Sequence, residues 1–211
     1  MGRRGRKKGA SGEQSRALLL SIAAKEFAHK GFYETKVSSI VKQASLSQPT
    51  FYLYFNSKEA LFGELVELFG DQLFDLTKQS RLEPGIESSS LANRISSGLT
   101  AIFRFFVEEP DLARIGFYIA DEAEDIKNKL AAQIKDNLIY EQQHGYFRTN
   151  LDMSTVAESL VGIIERLAMT KLLPGHKTPE ILASEIVTLF LNGMITHQGS
   201  SSLSYPSRIS E

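Results

Sequence analysis

Gln48, Thr50, Tyr52 and Tyr54 gather an amide and three hydroxyls into the stretch Ser47 to Phe55, which reads Ser-Gln-Pro-Thr-Phe-Tyr-Leu-Tyr-Phe. These groups recognise a partner by hydrogen bonding; none stands beside a base that would make it a nucleophile. Phe51 and Phe55 lie four residues apart and share one helical face, so most of the polar tips point elsewhere. The spacing predicts a short helix that anchors through its aromatic face and touches something with the rest.

Other chemistries find little support. The histidines, His29, His144, His176 and His197, are scattered without metal-ligand spacing, cysteine is absent, and no glycine loop of the phosphate-binding type occurs. No metal or cofactor is expected. Asp121, Glu122, Glu124 and Asp125 are crowded enough to suggest a carboxylate site, but a solvated helix face is the simpler account. No nucleophile, base and orienting group can be assembled from the spacing, so an enzyme is not expected.

The 211 residues, 42% apolar and 23% charged, are those of an ordinary folded chain of one or two domains. No apolar run reaches the roughly 20 residues that a bilayer span takes. The basic N-terminus lacks the apolar core of a secretory signal, which leads to an expected cytoplasmic location. The net charge of −1 hides an asymmetry: residues 1–62 hold eleven Lys or Arg against four acids, and the remainder is acidic. A polyanion partner suits the first part only.

The elements that must position the Ser47 to Phe55 stretch are all helical. Residues 1–12, rich in Gly, Arg and Lys, read as a flexible basic arm, either adding phosphate contacts or serving as a solubilising tail. Leu18, Leu19, Ile22, Ala23 and Phe27 recur at helical spacing from Glu13 to Lys30, with Arg16, Lys25 and Glu26 assigned to other faces; Gly31 is a left-handed stop. Val37, Ile40, Val41 and Ala44 mark a short second helix. Ser45, Leu46 and Ser47 then make a tight connection in which Ser47 caps a third helix and Pro49 occupies its first turn. Two short helices so joined form a helix-turn-helix. A capping box from Asn56 to Glu59 opens a longer helix reaching about Lys78. Beyond a loop at residues 81–90, helical patterns cover Leu91 to Glu109, Glu122 to Tyr140, Ser154 to Leu173 and Pro179 to about Thr196, followed by a serine-rich tail from Gly199. The expected fold is all-α. Residues 13–62 are expected to form a three-helix helix-turn-helix head, 63–198 a larger helical domain, and 199–211 a flexible tail.

The third helix is narrow enough for a major groove about 12 Å wide, and the Gln48 amide can offer a donor and an acceptor to adenine. Pro49 can touch a thymine methyl. Tyr52 and Tyr54 have packing in the head core as their alternative role.

The order Thr35, Val37, Ile40, then Ser45 to Phe55, then Lys58-Glu59-Ala60-Leu61 closely resembles the N-terminal domain of the TetR family of bacterial transcriptional regulators, over roughly Ser15 to Val66. Ser45 and Pro49 depart from the glycines often found at those places. The resemblance implies base contacts at Gln48, Pro49 and Tyr52, and at Ser38, where some members carry a longer Arg. It implies phosphate contacts from Thr35, Thr50, Tyr54 and Lys58, and a homodimer binding a palindromic operator in double-stranded DNA. Most residues of the aromatic cluster around Phe103, Phe106, Phe117 and Tyr118 would ordinarily be core, and spacing does not separate that role from a pocket. The resemblance assigns effector binding and dimerisation to residues 63–198 and raises the reading of this cluster as the lining of a pocket for a small apolar effector. Leu160, Ile163, Ile164, Leu167, Ile186, Leu189 and Phe190 exceed what one helical layer needs, and in the family such helices pair across a two-fold axis. The expected function is a ligand-responsive repressor. The rival is a helical ligand-binding or scaffolding protein without sequence-specific DNA binding.

Overall fold

The computed structural model describes residues 8–194. The basic residues before Lys8 and the serine-rich tail from Gly199 lie outside them. Among the described residues nine α-helices follow in order: α1 (Lys8–Lys30), α2 (Val37–Gln43), α3 (Gln48–Tyr52), α4 (Lys58–Gln79), α5 (Ser88–Glu108), α6 (Pro110–Arg114), α7 (Ala123–Gln143), α8 (Met153–Leu167) and α9 (Pro179–Asn192), with no strand. Two π-helical turns, Ile115–Ile119 and Ala168–Leu172, continue α6 and α8. The first helix starts at Lys8, so Lys8 to Gly12 belong to it and not to an arm.

Local chemistry explains most boundaries. Gly31 takes φ 81, which lets the chain leave α1 while its N–H bonds to the Phe27 carbonyl at 2.9 Å. Ser47 caps α3 by accepting the Thr50 N–H at 3.3 Å, and Thr178 caps α9 from Ile181. The cap of α4 is Ser57, accepting the Ala60 N–H at 3.1 Å, rather than the expected Asn56. Ser57 stands immediately before the first helical residue, the place from which a short side chain reaches the third N–H of the helix. Ser88 to Ser90 form the first turn of α5 instead of a loop.

Phe27, Ile40, Phe51 and Leu61 are fully buried between α1, α2, α3 and α4, with Phe55 nearly so. The body packs α5 on α9, α7 on α8, and α4 against α7. The expected domain division at residues 62 and 63 falls inside α4, which belongs to both parts. The side chains of α1 and α6 meet at His29 and Asp111, 3.4 Å apart.

At the centre of the body lies a knot of rings. Phe69 stacks on Phe105 with centroids 5.6 Å apart and meets Phe106 and Phe117 at 5.8 Å each. A glycine makes this approach possible: a Cβ on Gly116 would stand 2.1 Å from the Phe69 ring. No helix among the described residues is long and apolar enough to cross a membrane.

Candidate nucleic-acid interface and cavity

Gln48, Pro49 and Tyr52 stand together on the outside of α3, all exposed, with Tyr52 55% accessible. Phe51 turns inward on the same helix, its ring edge-on to Tyr52 at 5.3 Å. Ser38 faces outward from α2, and its neighbour Ser39 turns inward. Ser45, in the α2–α3 turn, takes φ 54, a left-handed conformation that a side chain tolerates less readily than glycine does. The turn therefore has the shape that the family's glycine serves.

The four residues expected on phosphates divide. Thr50 is half-exposed, its hydroxyl 2.9 Å from that of Ser47, and Tyr54 is half-buried against the head core. Thr35 is buried, and its hydroxyl donates to the Gly31 carbonyl at 2.8 Å, so the side chain is not presented outward. The Lys58 ammonium donates to the carbonyls of Phe32 and Thr35 at 2.8 and 3.1 Å and lies 4.1 Å from the Phe32 ring centroid. A carbonyl pair and a ring face satisfy an ammonium well, so Lys58 pins the α1–α2 turn to the start of α4. Tyr33, 85% accessible, Glu34 and Lys36 are the exposed groups of that turn. Sequence reasoning missed Tyr33, because after Gly31 it falls outside any helical period.

Glu26 was missed as well. It is buried, and its carboxylate accepts from Lys30 at 2.7 Å, Gln43 at 2.7 Å and Ser39 at 2.9 Å. The Lys30 hydrogen bond first, then that of Gln43, holds this carboxyl below the usual carboxylate range. The network ties α1 to α2 and sets how α2 presents Ser38. Its signal was present in the chain: Glu26 lies three residues after Ala23 and seven after Leu19, within the apolar stripe.

The aromatic residues expected to line a pocket are not among those that line the cavity of the body. Phe103, Phe106 and Phe117 are fully buried in the core, the last two within the knot around Phe69. Tyr118 donates to the Glu165 carbonyl at 2.7 Å, and burial, followed by the Glu165 charge, pushes its phenol upward. The rings of Phe106, Phe117 and Tyr118 lie in successive contact, with centroids 5.5 and 5.7 Å apart. A cavity of about 270 Å³ opens instead among apolar side chains of α5, α7, α8 and α9, including Leu99, Ile102, Ile134, Leu160, Ile186 and Phe190, with the last turn of α4 at one wall.

A short capped helix with an outward amide, held by a preceding helix and a tight turn, defines a helix-turn-helix of the DNA-binding kind. Residues 19–65 match the family model described as bacterial regulatory proteins, tetR family. The chain is 46% identical over 186 residues to YdgC of Bacillus subtilis (strain 168), an uncharacterized HTH-type transcriptional regulator, covering 88% of this chain and 95% of that protein. It is 27% identical over 197 residues to the HTH-type transcriptional regulator EthR of Mycolicibacterium smegmatis, covering 87% and 88%. The fold is similar to that of PfmR, a TetR family transcriptional regulator from Thermus thermophilus, with a TM-score of 0.69 at 19% identity, covering 84% of this chain and 99% of that one. The crystal structure of a gamma-butyrolactone receptor (ArpA like protein) gives 0.68 at 21% identity, covering 89% and 92%. The chain belongs to the tetR family of bacterial regulatory proteins and is a DNA-binding transcriptional regulator.

Proposed function

We propose that the chain is a homodimeric repressor that binds a palindromic operator through α3 and releases it when a small apolar effector enters the cavity. One observation carries the reading: α4 serves both sites. Its first residue, Lys58, pins the turn before α2, and Thr77 in its last turn walls the cavity. At 22 residues α4 spans about 33 Å. A ligand that favours one tilt of this rod shifts the spacing of two heads, which a two-fold operator reads as loss of fit. Exposed Ile181, Leu189 and Leu191 on α9 leave apolar surface for the partner protomer. No catalytic step is assigned.

In this reading Gln48, Pro49 and Tyr52 meet bases, with Ser38 at the edge of the groove, and Thr50, Tyr54, Tyr33 and Lys36 meet the backbone. Lys58 and Thr35 act by shaping the turn. The test is selection of bound duplexes from a random pool, followed by titrations in rising salt. Gln48→Ala should relax preference at one base pair by about 1–3 kcal/mol, whereas Lys36→Ala should weaken all duplexes alike and flatten the salt slope by about one unit. A Gln48→Ala protein that kept the parent's base preferences would remove α3 from the groove. Linear log–log salt dependence lost in both variants and parent would favour the scaffolding rival.

A further inference from the structure

The cavity wall is largely apolar, with Phe147 and Phe190 among its aliphatic side chains and Arg148 from the segment after α7, and its polar side chains otherwise gather at one pole, where the last turn of α4 faces α7. There the polar side chains are already committed. Thr77 donates its hydroxyl to the Leu73 carbonyl at 2.8 Å, Ser80 and Asn137 both donate to the Thr77 carbonyl, and Gln133 donates to Asn137. Glu141 is the exception. It is 5% exposed, lines the cavity, and accepts the Leu82 N–H at 2.8 Å through Oε1. No enclosed side-chain oxygen among the described residues lacks a partner, so Oε2, to which no protein group donates, keeps accessible surface for a ligand's donor.

A carboxylate oxygen facing an apolar cavity without a donor carries the desolvation cost of the charge with only part of the compensation. Burial accordingly pushes the Glu141 carboxyl up to about 7, against the opposing pulls of the Leu82 N–H and of Arg81. The one other ionisable side chain on the wall, Arg148, is exposed. What the pole lacks is a donor, and the donor that restores most is a cation: an ammonium makes a charge-assisted hydrogen bond, about twice as strong as a neutral one.

Resting on the reading of this cavity as the effector site, we infer that it takes a lipophilic amine, its apolar body among the aliphatic side chains and its ammonium on Glu141 Oε2. An anionic head is disfavoured, because it would set two negative charges against each other in an apolar enclosure.

The experiment is calorimetric titration of the full chain at neutral pH with three probes of one chain length: n-octylamine, 1-octanol and octanoate. n-Octylamine should bind roughly tenfold more tightly than 1-octanol, the gap between a charged and a neutral hydrogen bond, and octanoate most weakly. In Glu141→Gln, which keeps an acceptor for Leu82, the amine should fall to the affinity of the alcohol while the alcohol holds its own. Equal binding of amine and alcohol to the parent, or an amine preference that survives Glu141→Gln, overturns the inference and leaves the effector site standing. Octanoate as the best ligand overturns it in favour of Arg148. If none of the three binds, the cavity is not a ligand site and both readings fall.

Discussion

The body contains two apolar regions of opposite character, the ring knot around Phe69 and the cavity between α5, α7, α8 and α9. Both are built from helical stripes that look alike along the chain. Phe106 packs 5.8 Å from Phe69 and 5.5 Å from Phe117, with nothing between. Ile134, Leu99 and Ile186 face one another across about 270 Å³ of space. The difference teaches that a pocket is not a concentration of large apolar residues. It arises where the residues that meet do not fill the gap left between the helix axes. Flat rings beside a glycine fill theirs completely.

The comparison can be broken most forcefully at the knot. Phe106→Ala should lose about 3–5 kcal/mol in urea unfolding, since ring contacts on every side are forfeited and the surroundings cannot collapse. Its folded fraction should still bind 1-octanol like the parent. A loss below about 1 kcal/mol would show that the knot is not tightly packed. The cavity should respond the other way to enlargement. Ile134→Phe should change stability by no more than about 1 kcal/mol, because the added ring enters existing space, and should weaken 1-octanol roughly tenfold or more. If it unfolded the protein, the space would be illusory.

The smallest effect concerns the polar pole. Glu141 has its carboxyl raised from the ordinary 4.5 to about 7, so between these values the folded chain keeps a proton that the unfolded chain has released. Stability from this group is therefore present below pH 4.5 and lost as the pH rises through 7. Glu141→Gln should leave Tm close to the parent at pH 4.5 and raise it above the parent at pH 8, by a few degrees. A gap that did not widen with pH would mean that the carboxyl is better solvated than its burial implies.

Legibility in the sequence followed distance along the chain. Ser47 as the cap of α3, Gly31 as the left-handed end of α1 and the inward turn of Phe51 and Phe55 all depend on neighbours within a few residues, and all are found in the structure. The Ser57 cap was misplaced by one residue because Asn56 and Ser57 both have capping side chains and only the backbone separates them. Thr35 and Lys58 were read as outward groups for a different reason. Their partners, the Gly31 carbonyl and the Phe32 carbonyl and ring, are offered by a turn whose path spacing does not give. Glu26 sat visibly within an apolar stripe, but its donors Ser39 and Gln43 arrive from the next helix.

The sequence by itself determined the form of the Ser47 to Phe55 segment, since a helix of five residues, its cap and its turn are fixed by local backbone chemistry and by the alternation of rings and polar tips. The tertiary structure alone decided which apolar face is solid and which is hollow. That outcome depends on how residues as far apart as Thr77 and Leu191 approach one another, and helical periodicity carries direction around an axis but no distance between axes.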